Sequence, residues 1–300
     1  TRLFSVTDYG ILNLISTTIY FVMAIGKFGI QNSIIRFYQE VKNDKMSISL
    51  KTYYSTLFFG PITIVAAVCL IYALIILVLR NYKMEPKVAN YFLLSAIVAF
   101  FSCSNMLIKN FLRAEHNTKL YNALNIISTY ASLIFGITLV YFFFKNLYGL
   151  YLSSIITQGL ICIYLFYRLK KKQRINKSHF NKPFFKEAFY YGAPFVGAEL
   201  TSIILNAGDR YVILYFMTTA AVGIYSAGYD LAMNAMEALT FPLSFVITPL
   251  YLKIWAEKGT KETKDFLANC LRYFMMVALP CIFGLNYLSK DIIVLLASSK

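Results

Sequence analysis

Charged residues are scarce in this 300-residue chain: Asp, Glu, Lys and Arg make up 14% of it, against about 25% in an ordinary soluble domain. Acidic residues are scarcer still, 14 against 29 Lys and Arg, and the chain holds two histidines and one tryptophan. With a mean hydropathy of +0.59, this excludes a disordered chain, a collagen-like repeat and an ordinary water-soluble enzyme. The two histidines, His116 and His179, fall in separate loops far apart in sequence and read as solvated polar residues. Cys69, Cys103, Cys162, Cys270 and Cys281 all fall inside apolar runs, without CxxC or any metal-ligand spacing. They read as small buried hydrophobes. There is no P-loop, GxSxG, HExxH or dinucleotide fingerprint, so neither cofactor nor metal is expected. No signal peptide is present; the chain opens on Thr1 and stops at Lys300 just after an apolar stretch, which reads as a piece of a longer protein.

Apolar residues, by contrast, make up 58% of the chain and aromatics 17%, with 26 Phe and 24 Tyr. A helix needs about 20 mostly apolar residues to cross a bilayer. Eight segments meet this, near 9–37, 50–80, 87–113, 120–144, 147–168, 188–217, 221–255 and 262–288. The expected class is therefore all-α, a polytopic membrane protein whose longer spans tilt or protrude. Connections are short except for a basic stretch from Arg168 to Lys186. It divides the chain into an N-terminal lobe (1–168), a linker (169–187) and the start of a C-terminal lobe (188–300).

A net charge of +15 would suggest nucleic acid in a soluble protein. Here it reads as topology, because cytoplasmic loops collect Lys and Arg. Loops after odd-numbered spans are the richer side, with Arg36, Lys42, Lys45 and Lys51, then Lys109, Arg113 and Lys119, then the linker, then Lys253, Lys258, Lys261 and Lys264. The other side carries Arg2, Arg80, Lys83, Lys87, Lys145, Arg210, Lys290 and Lys300. Both ends of the chain are then expected outside, with no nucleic-acid partner. The linker's basic residues fix topology or attract anionic headgroups. Tyr38, Tyr82, Tyr148 and Tyr167 fit an interfacial aromatic belt.

An internal repeat is visible at a shift of 213 positions. It aligns Gly10 with Gly223, Phe28 with Phe241, Tyr38 with Tyr251 and Lys51 with Lys264. Related halves are common in transporters. Equivalent halves imply one further helix before the first span, and about twelve helices in two six-helix lobes.

Four segments carry a family resemblance: SVTDYGILNLIST with FGIQNSIIRFY; LRAEHNTKLYN; YYGAPFVGAEL with NAGDRYVIL; and AVGIYSAGYDLAMN. Over nearly its whole length the chain resembles bacterial polysaccharide exporters of the lipid-linked oligosaccharide flippase type, in the superfamily that includes multidrug and toxin extrusion transporters. The resemblance implies two six-helix lobes around a central cavity that opens alternately to each side. It implies an undecaprenyl-pyrophosphate-linked glycan as substrate, for a surface polysaccharide such as O-antigen or capsule. It places the protein in the bacterial inner membrane, among membrane lipids, with a coupling cation or proton.

Charges inside a bilayer cost about 2.5–3.5 kcal/mol each at a helix centre, so those within spans are functional candidates. Arg210 offers a planar fork of donors suited to phosphate. Neighbouring residues point apart on a helix, so Asp209 is expected to pair with another helix. Related flippases hold the anionic headgroup with cationic cavity residues, and their aspartate–arginine couple matches Asp209 and Arg210. Lys27, mid-span, is a second phosphate contact or a snorkelling side chain. Arg36, at the cytoplasmic rim, gathers phosphate or marks topology. Asp230 and Glu237, seven residues apart and on one helix face, together with Glu199, balance the cations, bind a coupling ion or lock helices together; Arg272 lies in the eighth span. Pro61, Pro194, Pro242, Pro249 and Pro280 fall inside spans and bend or kink them. A cation-coupled multidrug or small-molecule exporter is the alternative. A membrane glycan polymerase or ligase is disfavoured, because such enzymes carry a large external loop and the external connections here are short.

Overall fold

Long apolar runs with almost no interior charge leave the backbone one way to satisfy its polar groups in lipid, the α-helix. A computed structural model of the chain describes residues 4–82, 84–144, 146–173 and 175–296. Arg2, Lys83, Lys145, Arg174 and Lys300, counted in the charge asymmetry, lie outside the described residues, as do the side chains of Pro242, Pro249 and Lys253. The helices are α1 (Val6–Lys27), α2 (Ile30–Lys42), α3 (Leu50–Tyr82), α4 (Pro86–Ala114), α5 (Thr118–Leu139), α6 (Tyr148–Gln173), α7 (Lys182–Ala207), α8 (Asp209–Phe216), α9 (Thr219–Lys258) and α10 (Thr260–Leu296). No strand occurs among the described residues. The chain is all-α, and seven described stretches are long and apolar enough to cross a membrane. The span expected at 221–255 is not among these seven; it lies within α9, where several side chains are not described.

Helix starts follow local rules. Asn117, Asn181 and Thr218 accept backbone N–H bonds from Leu120 (3.4 Å), Phe184 (2.9 Å) and Ala221 (3.2 Å), each satisfying a donor that has no intrahelical partner. Apolar side chains then face outward where a soluble protein would bury them: Ile126, Tyr130, Leu133 and Ile134 of α5 are all exposed. A bilayer solvates such a face at no cost.

Two helices predicted as continuous are broken. The first span stops at Lys27 and restarts at Ile30, with Phe28 and Gly29 at φ 45° and 67°. The segment 188–217 divides at Gly208 into α7 and α8. The basic stretch is also less of a loop than expected, because α6 continues through Gln173, residues 177–179 form one 3-10 turn, and α7 begins at Lys182.

The chain forms two compact units, Ile11–Phe216 and Thr1–Gly10 with Met217–Lys300. The larger is built around aromatic side chains. Tyr53 packs edge-on to Tyr54 (5.1 Å) and Phe111 (5.9 Å), Phe37 packs edge-on to Phe184 (5.6 Å), and the Tyr53 hydroxyl donates to the Ile34 carbonyl at 2.5 Å. Tyr38, expected at an interface, is instead buried in this cluster, because α2 turns it toward Tyr53. Tyr148 is half-buried against Tyr91, while Tyr82 and Tyr167 are exposed. Of the cysteines, all free, Cys69 and Cys103 are buried as expected, whereas Cys162, Cys270 and Cys281 are only half-buried.

In the smaller unit the first turns of α1 lie against the first turns of α9. A Cβ on Gly10 would collide with the Thr219 carbonyl oxygen and sit 3.1 Å from Gly223 N. One on Gly223 would collide with the Val6 carbonyl oxygen and sit 3.2 Å from Gly10 N. Only glycine permits this backbone approach.

Candidate functional site

The break after α1 positions the first buried charge. Gly29 can hold its left-handed φ without the strain other residues incur. A Cβ there would strike the Gly192 carbonyl of α7, and a Cβ on Gly192 would come within 2.7 Å of the Phe28 oxygen. Phe28 stacks on Phe189 at 4.1 Å with the rings 9° apart, and Ser33 Oγ donates to the Ala188 carbonyl at 2.6 Å. The break is thereby sealed onto α7.

Lys27, the last residue of α1, is 4% exposed. Its ammonium donates to Glu199 Oε1 of α7, and Gln31 Nε2 donates to Glu199 Oε2 at 3.3 Å. A buried lysine would otherwise carry an uncompensated charge at a cost of several kcal/mol. Lys27 and Glu199 are thus partners, a pairing across 172 residues that their separate positions in sequence do not reveal. Lys27 sits at a helix end rather than mid-helix, so its last-turn position also favours the cation.

At the second break, Asp209 opens α8 and its Oδ1 accepts the Arg210 backbone N–H at 2.8 Å. Arg210 is buried, with Nη1 donating to the Asn206 carbonyl at 3.2 Å and lying 3.8 Å from Asp209 Oδ1. The expectation that Asp209 points away from Arg210 is therefore corrected. That rule holds for consecutive residues inside one helix; here Asp209 is the first residue of α8 and both side chains turn back over the break. Tyr211 ties α8 to α1, its hydroxyl 2.5 Å from Thr18 Oγ1 and donating to the Leu14 carbonyl at 3.3 Å.

Asp230, half-buried on α9, accepts a hydrogen bond from the Tyr9 hydroxyl at 3.0 Å. Glu237 is exposed on the same helix, seven residues and about 10 Å farther on. Arg36 is exposed, lies 3.6 Å from Glu40 and stacks its guanidinium over the Tyr191 ring at 4.2 Å. Arg272 is exposed on α10.

Two polar groups escaped the sequence reading. Lys109, counted among the loop charges, lies inside α4, buried, and donates to Asn125 Oδ1 at 3.0 Å. Glu115 ends α4 and accepts from Tyr54 (2.5 Å), Lys172 (2.6 Å) and Gln173 (3.0 Å). Burial alone would raise its carboxyl pKa; the bonds from Lys172, Tyr54 and Gln173 and the Lys172 charge outweigh that and hold it below the ordinary carboxylate value. It lines a groove of about 600 Å³ with Tyr38, His116, Asn117, Lys119 and Lys172. The left-handed His116 (φ 57°) that follows it is a turn signal the sequence offers only as Glu-His-Asn. Among the described residues no group of three or more His, Cys, Asp or Glu is placed to hold a metal.

A family model described as polysaccharide biosynthesis protein matches residues 1–300. Neither a curated protein nor a solved structure matches the chain.

Proposed function

Because the chain belongs to the polysaccharide biosynthesis protein family, we propose that it flips undecaprenyl-pyrophosphate-linked oligosaccharide units across the bacterial inner membrane by alternating access. The coarser frame is firm: a multi-pass membrane protein with a role in polysaccharide biosynthesis. The observation that carries the finer reading is Arg210, a buried guanidinium at a helix break. A guanidinium matches phosphate oxygens with paired, charge-assisted donors. A broken helix exposes backbone polar groups that a continuous one would use internally.

In this reading Arg210 takes the pyrophosphate, and Lys27 joins it by exchanging Glu199 for a phosphate oxygen. Glu199 then neutralises Lys27 whenever the headgroup is absent, so the cation is never left bare. The sugars occupy the aqueous side, the polyprenyl tail stays in lipid, and no covalent bond is made or broken. A polymerase or ligase needs groups that activate a sugar hydroxyl, whereas Lys27 is engaged by Glu199 and Arg210 lies beside Asp209.

The test is complementation of cells lacking their glycan flippase, scored by surface polysaccharide. Arg210→Ala is expected to cost about 3 kcal/mol of headgroup binding, roughly a hundredfold in export, with insertion intact. Arg210→Lys, which keeps the charge but not the fork, is expected to retain part of it. Undiminished export by Arg210→Ala removes this residue from the mechanism. Drug efflux that depends on Asp230 or Glu199, without glycan export, selects the cation-coupled exporter instead.

A further inference from the structure

Beside the sealed break, α2 and α7 share a second line of contacts. Gln31 of α2 bonds Glu199 of α7, and farther along α2 the Arg36 guanidinium covers the Tyr191 ring of α7. The two helices therefore run antiparallel there. On α7, Tyr191, Phe195 and Glu199 follow one another at intervals of four, so they share one helix face over about 12 Å. The Tyr191 and Phe195 rings lie 5.6 Å apart, and Phe195 is 39% exposed. Arg36 is held over Tyr191 at 4.2 Å and from its own helix by Glu40 at 3.6 Å. All of these residues belong to the larger unit.

Spanning helices turn ionisable side chains toward protein or water, not toward lipid. A face that carries Arg36, Gln31 and Glu199 is therefore a wet one, and the exposed Phe195 ring on it has no acyl chain to solvate it. Three kinds of group meet there: aromatic rings, guanidinium donors, and amide and carboxylate acceptors. Gln31 adds a spare acceptor, because its Nε2 donates to Glu199 while its Oε1 meets no described residue. A sugar ring answers to all three. Its C–H face lies on an aromatic ring, and its hydroxyls both donate and accept. An organic cation has no use for Arg36, and an acyl chain has none for Gln31 or Glu199.

We propose that the α2–α7 face formed by Arg36, Tyr191, Phe195, Gln31 and Glu199 is a carbohydrate-binding surface, and that Phe195 and Tyr191 read the sugars beyond the first. The direction of the glycan rests on the flippase reading; the affinity of the face for sugar does not. With pyrophosphate on Lys27, Glu199 is released, and it takes hydroxyls of the first sugar together with Gln31 Oε1. The next sugars lie along α7, on Phe195 and then beside Tyr191, where the Arg36 guanidinium donates to their oxygens. Tyr191 and Glu40 position Arg36 for this by fixing its plane.

The experiment places a reporter on the face of the intact protein in detergent. Trp255→Phe removes the one native tryptophan, and Phe195→Trp introduces a new one. Three probes are added: the polyprenyl-pyrophosphate oligosaccharide that accumulates in flippase-deficient cells, the same lipid trimmed to one sugar, and the free oligosaccharide at millimolar concentration. The full lipid-linked unit is expected to shift the emission to the blue and to slow acrylamide quenching about twofold; the one-sugar lipid should do neither. Tyr191→Ala is expected to weaken the full unit's effect about tenfold. No shielding by any probe overturns the proposal. Binding of both lipids without shielding keeps the flippase reading and removes the carbohydrate surface. Shielding by free oligosaccharide, with neither lipid bound, keeps the surface and removes the flippase reading. In complementation, Phe195→Ala should lose the full unit about tenfold more than the one-sugar unit, and Phe195→Tyr should restore most of it. Equal loss of both units marks a merely structural role and overturns the proposal.

Discussion

In the first half of the repeat the helix that begins at Val6 stops at Lys27 and resumes at Ile30; in the second half α9 runs without interruption from Thr219 to Lys258. The aligned residues explain the difference. Gly29, at φ 67°, corresponds to position 242, which is proline. Proline holds φ near −65° and cannot enter the left-handed region, so the second copy cannot make the first copy's turn. The break also places a buried ion pair. Lys27 ends at it, Gly192 receives it, and Glu199 pairs with the lysine; Lys27 itself aligns with Thr240. Of the two aligned segments, both carry the glycine of the crossing, while the one with glycine at position 29 holds a buried ion pair and the one with proline at position 242 runs on as a continuous helix.

The strongest way to break the comparison is to give the first half the second half's residue. Gly29→Pro removes the positive φ and forces atoms into the Gly192 carbonyl. A loss of about 3 kcal/mol or more is expected, read as loss of a monodisperse peak in detergent. A stable, monodisperse variant would mean that the break is not required. Glu199→Gln keeps the backbone and removes only the anion. It leaves Lys27 buried beside a neutral amide, at an expected cost of about 3 kcal/mol. The double variant Lys27→Met/Glu199→Leu is expected to recover most of that in thermal melts, and additive losses would show that the pair is not coupled.

The smallest effect comes from a control lying outside both aligned segments. Glu115 has a lowered pKa in the folded chain. A depressed carboxylate contributes stability above its unfolded pKa, about 4, and that contribution disappears as pH falls through the lower folded value. The melting temperature should decline over that acid window, and Glu115→Gln should flatten the decline while costing about 1 kcal/mol near neutrality. An unchanged acid profile in Glu115→Gln would show that its carboxylate is not what the acid titrates.

The apolar runs made the class and most helix positions legible, because length and hydropathy are local properties. The breaks were harder. Gly29 and Gly208 sit inside runs that satisfy any hydropathy window, and glycine is common in membrane helices. Only the neighbour, Gly192 for the first, makes the turn necessary. The charged site was half legible. Lys27, Glu199, Asp209, Arg210 and Asp230 stood out because ions in lipid demand an account. Their partners did not, since the Lys27–Glu199 and Tyr9–Asp230 bonds join residues 172 and 221 positions apart. Glu115 was missed because it looked like one more polar residue in a basic loop, whereas its three donors come from α3 and α6.

The start of α7 is held by far more than the peptide that leads to it. Phe184 lies in the aromatic core, Ala188 accepts from Ser33, and the backbone N–H groups of Asn176 and Asn181 donate to Ser55 Oγ and Thr56 Oγ1 at 3.1 and 2.9 Å. A protease that nicked the chain between α6 and α7 would sever the covalent thread without freeing the helix. The two fragments should purify together and separate only when the fold is lost.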